Sequence, residues 1–201
     1  MRSRKADGFT LYELMLVLAI AGVLFAIAIP NMRDFIWNGR MTSAANDLLT
    51  AVYRARSESV KRHTQTILCF SADPTAATPA CGGNGTQGWV VFADTDSSGT
   101  VTGTEEVLLR HGALPSTISL FSKPNGNGGY IAFNNAGFAR GIVALGADLD
   151  GIVLCDPRGN KALNGPDNSA ARGVMISPTG RPQVTRVVAT ITNDGRLGTC
   201  P

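Results

Sequence analysis

Apolar positions fall along this chain in three regimes, and each predicts a different kind of element. From residue 9 to residue 29 the run FTLYELMLVLAIAGVLFAIAI is apolar almost without a break, and Pro30 follows it. At about 1.5 Å of rise per residue, such a run in helical form matches the ~30 Å hydrocarbon core of a bilayer. Pro30 lacks a backbone N–H and presses on the preceding turn, which predicts a kink or a local break in the ladder there. From about residue 31 to 61 the apolar positions recur at helical spacing, with Met41, Ala45, Leu48, Val52 and Ala55 on one stripe and Arg40, Asp47, Arg54 and Glu58 elsewhere. The pattern predicts an amphipathic continuation of the helix whose stripe needs a partner. After His63 the period shortens to runs rich in β-branched and aromatic residues, separated by Gly, Asn, Asp and Pro. Strands are expected near residues 66–70, 88–92, 106–110, 118–121, 130–133, 141–145, 152–155, 173–176 and 184–192, with loops at 71–87, 122–129 and 156–171. So many short strands with small connectors predict antiparallel sheets packed on the helix, an α+β fold in place of βαβ units.

One residue in the first run conflicts with its surroundings. Glu13 is the only ionisable side chain between residues 9 and 29, and a carboxylate at membrane depth is costly unless it is paired. It therefore reads as a functional site whose cationic partner comes from a neighbouring molecule, from a new chain terminus, or from the basic leader Arg2, Arg4 and Lys5. That leader obeys the positive-inside rule, placing residues 1–8 in the cytoplasm and the chain beyond Pro30 outside the inner membrane.

Charge and cysteine content narrow the rest. The formal net charge is +3, but removing residues 1–8 takes away Arg2, Arg4 and Lys5 against Asp7, leaving +1. A nearly neutral body excludes a protein whose whole surface tracks nucleic acid and leaves only local basic patches to consider. Four cysteines make an even count in a chain expected to reach an oxidising compartment. None lies in a C-x-x-C arrangement and there are only two histidines, His63 and His111, so a zinc site is not expected. Three pairings are open; the one preferred joins Cys69 to Cys81 as a short loop and Cys155 to Cys200 as a clasp on the C-terminus.

Lys5-Ala6-Asp7-Gly8, then Phe9-Thr10-Leu11-Tyr12-Glu13 and an unbroken apolar helix, resembles the class III signal of type IV prepilins and pseudopilins. The resemblance implies that a prepilin peptidase cuts between Gly8 and Phe9 and N-methylates Phe9, and that Glu13 neutralises the Phe9 amine of an adjacent subunit in a filament. An ordinary secretory signal cut near Ala26-Ile27-Ala28 is the alternative, but its apolar segment is about 7–15 residues and has no reason to carry a glutamate near its start. Ala55-Arg56-Ser57-Glu58-Ser59-Val60-Lys61-Arg62 with Leu68-Cys69, Gly88-Trp89-Val90-Val91-Phe92 with Asp94, Ile131-Ala132-Phe133, and Ile176-Ser177-Pro178-Thr179-Gly180-Arg181 resemble the GspH/FimT family of minor pseudopilins and minor pilins. The implied organisation is a leader over residues 1–8, a transmembrane and filament-core helix over 9–30, an amphipathic helix over 31–62, and a β-rich globular domain over 63–201. The implied partners are other pilins or pseudopilins, the prepilin peptidase and the inner membrane, with the globular domain in the periplasm.

Chemistry beyond assembly is sparse. The sequence has no G-x-S-x-G, no G-x-x-x-x-G-K-[ST] and no H-E-x-x-H, so an enzyme is not expected. No cofactor is expected either, apart from a candidate calcium loop. Asp94, Asp96, Ser98, Thr100 and Glu105 stand at the spacing of a twelve-residue calcium loop, although strands flank it where that motif has helices, and Asp, Ser and Gly also suit a hairpin turn. Arg172, Arg181, Arg186 and Arg196 form a local excess over Asp194, a candidate surface for DNA, which some members of the family capture through a Gly-Arg-x-Arg motif. Here Gly180-Arg181-Pro182-Gln183 and Gly195-Arg196-Leu197-Gly198 each keep only the first arginine. No aromatic follows Phe138, so binding would rest on phosphate charge alone. The structural subunit is the expected function and DNA capture the alternative.

Overall fold

The computed structural model describes residues 9–122, 129–140 and 150–200. The chain divides into two units, Met1–Gly39 and Arg40–Pro201, and each is taken by itself. A single helix, α1, spans Leu11–Arg62 and runs through Pro30. One proline removes a single ladder bond, and the apolar, helix-favouring residues before it keep the rest of the ladder in place.

In the first unit α1 leaves its apolar side chains uncovered. Leu14, Val17, Leu18, Ile20, Val23, Leu24, Phe25 and Ile27 are all exposed. The helix is long and apolar enough to cross a membrane.

In the second unit α1 buries Met41, Ala44, Ala45, Leu48, Ala51, Val52 and Ala55. The expected stripe is present and is widened by Ala44 and Ala51, whose small side chains let the helix approach its sheet closely. The helix ends at His63, which takes a left-handed φ of 54°. Thr64 N–H then donates to Ser59 O at 3.3 Å, closing a Schellman-type cap.

Eight strands follow among the described residues: β1 Gln65–Phe70, β2 Trp89–Asp94, β3 Val107–His111, β4 Ser119–Ser122, β5 Tyr130–Phe133, β6 Gly151–Cys155, β7 Arg172–Ile176 and β8 Pro182–Thr185. They form two antiparallel four-stranded sheets, ordered β3-β2-β1-β5 and β4-β6-β7-β8. Alternation sorts their side chains into layers. Leu68, Phe70, Trp89, Val91, Ile131, Phe133, Ile152 and Leu154 join the helix stripe in one core. The residues between them face outward into two smaller cores, one around Ile67, Cys69, Val90 and Tyr130, the other around Val153, Cys155, Ile191 and Leu197. The strand expected at 141–145 lies outside the described residues.

One expectation is corrected. The β-branched run expected as a strand over 184–192 is a strand only as far as Thr185, and Val188–Asn193 forms a short helix, α2. β8 pairs with β7 through Gly173 and Thr185, at the foot of a neighbour that begins at Arg172, so the ladder ends there. The chain turns instead and places Ile191 in the outer core, a case of packing overriding β-propensity.

Candidate assembly site

The helix N-terminus is closed by its own side chains. Thr10 N–H and Thr10 Oγ–H both donate to Glu13 Oε2 at 2.9 Å, and Glu13 N–H donates to Thr10 Oγ at 3.3 Å. This reciprocal arrangement is a capping box, and it satisfies two otherwise orphaned donors. The T-x-x-E spacing announces it in the sequence, although the expectation there concerned only a cationic partner for the carboxylate. Phe9 stands just before the box and is 88% exposed. Gly8 lies outside the described residues, and Pro30 is defined only as a position within α1.

The cysteines are joined as Cys69–Cys81 and Cys155–Cys200, with Cα separations of 5.5 and 5.7 Å. Both bridges lie on the sheet faces turned away from α1, one in each outer core.

The acidic loop brings three of its five predicted ligands together. One carboxylate oxygen from each of Asp94, Asp96 and Glu105 lies within 4.8 Å of the others, and Ser98 Oγ donates to Thr100 O at 3.1 Å. Oxygens of this kind suit a hard cation such as calcium. The same carboxylates also hold the turn itself. Ser98 N–H donates to Asp94 and Asp96, Gly99 N–H to Asp94, and Thr95 and Thr102 N–H to Glu105. Burial pushes the Asp94 carboxyl above its usual range, opposed by a hydrogen bond from Gln65.

The four arginines proposed for DNA do not make one exposed surface. Arg172 is 3% exposed and donates through Nη1 to the carbonyls of Ser169, Ala170 and Ala171. Arg196 forks onto Asp194 at 2.7 and 3.0 Å, and that pairing pulls the Asp194 carboxyl down to about 2. Arg181, Arg186 and Arg196 are exposed, the last with its charge already paired to Asp194. Among the described residues a phosphate backbone could therefore reach three of the four and would meet one of those three already neutralised.

Sequence reasoning missed a clamp on the second unit. Arg56 on α1 donates from Nε to Gly137 O at 3.0 Å and from Nη2 to Thr179 O at 3.2 Å. It ties the helix to two turns at once. At Gly180, with φ of +75°, a Cβ would sit 2.3 Å from Gly137 O, so only glycine lets these turns meet.

A bare apolar helix closed by a capping box, joined to a disulfide-bridged β domain, defines a protein of the pilin-like class. Comparison with known proteins bears this out. The family model described as "Type II transport protein GspH" matches residues 44–180, about two thirds of the chain, and the "Prokaryotic N-terminal methylation motif" matches residues 3–29. The chain belongs to the GspH family. Its first part is similar to the fimbrial protein EcpC of Eikenella corrodens, 51% identical over 39 residues, which is 19% of this chain and 26% of the relative. It is also similar to the type IV major alpha-pilin of Moraxella bovis, 49% identical over 41 residues, 20% and 26% of the two chains. The chain thus matches about a quarter of the length of these curated relatives. Among solved structures, the type IV minor pilin FimU of Pseudomonas aeruginosa is 19% identical with a TM-score of 0.48, covering 75% of this chain and 91% of that one.

Proposed function

We propose that the protein is a minor subunit of a type IV pilin-like filament, a pilus or a secretion pseudopilus, held in the inner membrane by α1 until it assembles. A prepilin peptidase removes residues 1–8, the Phe9 amine is methylated, and the β domain stands on the periplasmic side. The observation that carries this reading is the methylation motif over residues 3–29, set on a helix whose apolar side chains stand exposed.

Glu13 then has two uses. In the lone chain its carboxylate caps its own helix through Thr10. In a filament the free Phe9 amine of a neighbour supplies the cation that a carboxylate among apolar helices requires. Two substitutions separate the uses. Gln at position 13 keeps an acceptor for the cap but carries no charge, whereas Ala loses both. If charge pairing drives entry into the filament, Glu13→Gln and Glu13→Ala both reduce the filament-to-membrane ratio of the subunit by about tenfold or more, read by immunoblot of sheared filaments against membranes. Wild-type incorporation of Glu13→Gln would overturn the proposed pairing and leave Glu13 a helix cap alone.

A further inference from the structure

Arg172 is a buried cation that, among the described residues, forms no ion pair. It opens β7, is 3% exposed, and makes hydrogen bonds only to backbone carbonyls of its own approach segment, all through Nη1 at 2.8 to 3.0 Å. Among the described residues, nothing accepts from its Nε or Nη2, and no carboxylate forms an ion pair with it. Asp156, whose charge acts on Arg172, is engaged by Arg158, which forks onto it at 2.5 and 3.0 Å.

The strand register adds a second positive charge. β7 and β8 pair Gly173 with Thr185 as their last rung, so Arg172 and Arg186 each adjoin the end of the ladder, and Ser169 N–H donates to Arg186 O at 2.7 Å. Like charges held near one another repel, and a buried charge without a partner is costly. Burial, reinforced by the charges of Arg186 and Arg158, pulls the Arg172 guanidinium down to about 10, so it stays cationic at neutral pH.

We propose that Arg172 and Arg186 form a binding site for a small dianionic oxyanion of the phosphate class. The free Nε and Nη2 of Arg172 present the fork that bidentate oxyanion recognition uses, and exposed Arg186 closes the site from outside. The depth of Arg172 admits a free anion or a terminal phosphate monoester. The diester backbone of a nucleic acid, bridged on both sides, stays outside.

The test uses the full chain in detergent micelles, melted in sodium phosphate and in sodium chloride at matched ionic strength. The expected result is a melting temperature roughly 3 °C higher in phosphate. That shift should be lost in Arg186→Gln and kept in Arg181→Gln, a control at the other end of the same arginine-rich stretch. Equal melting temperatures in the two salts, a shift that survives Arg186→Gln, or one that Arg181→Gln also removes, would each overturn the site. A shift produced by duplex DNA and not by inorganic phosphate would overturn the assignment to a small anion.

Discussion

Glu58 is 3% exposed near the end of α1, and its carboxylate accepts from Arg62 Nε at 2.7 Å with Arg54 at 3.4 Å and Lys61 at 3.8 Å. Arg62 reaches on to Glu106 at 2.7 Å, so the helix end is tied to the start of β3 through one guanidinium. The Arg62 hydrogen bond holds the Glu58 carboxyl below its usual value near 4.5, against the effect of burial. A folded-state value below the unfolded one means that Glu58 contributes stability in full above that usual value and loses it as pH falls through the folded one. Glu58→Gln should therefore melt below wild type at neutral pH, and the gap should narrow steadily as the pH is lowered through the carboxylate range. Melting curves of both chains across that range check it, and a gap independent of pH would contradict the role of the charge. At this scale the sequence was readable where partners are close along the chain. Thr10 and Glu13 are three apart, and Glu58 and Arg62 four apart, the spacings of a cap and of a helix ion pair. Arg56 was not readable, because its two acceptors lie 81 and 123 residues away.

Among elements, periodicity located the strands β1 to β7 within a few residues, because alternation and apolar runs report burial on sheet faces directly. It failed at α2, where Val188, Thr190, Ile191 and Thr192 favour a strand, but the ladder with β7 has already ended. The amphipathic continuation beyond Pro30 was legible too, and α1 runs on through it. The cysteine count alone left three pairings, and the geometry that joins Cys155 on β6 to Cys200 near the chain end depends on the whole second sheet. The two bridges close loops of different length, with sequence separations of 12 and 45. In the loop-entropy view, losing Cys69–Cys81 costs about 3 kcal/mol and losing Cys155–Cys200 about 4 kcal/mol. Paired Cys→Ala variants should follow that order in denaturant midpoint. The reverse order would show that the short bridge does more than restrain the unfolded chain, by bracing the acidic loop that Cys81 touches at Gly99.

For the whole molecule, the division into Met1–Gly39 and Arg40–Pro201 separates two physical problems. The second unit buries its own core and carries the stretch matched by the GspH family model. The first unit leaves its apolar side chains exposed and carries the methylation motif. The residues of the first unit that would be cut, Gly8 above all, were legible as a motif, because a signal for a peptidase is a linear pattern that needs no fold. What that motif does to the mature chain can be weighed directly. The intact mass and N-terminal sequence of the protein recovered from the filament fraction should report a chain that begins at N-methylated Phe9. A chain that keeps residues 1–8, or one that begins after Ala28, would contradict the account of a processed, helix-borne filament subunit.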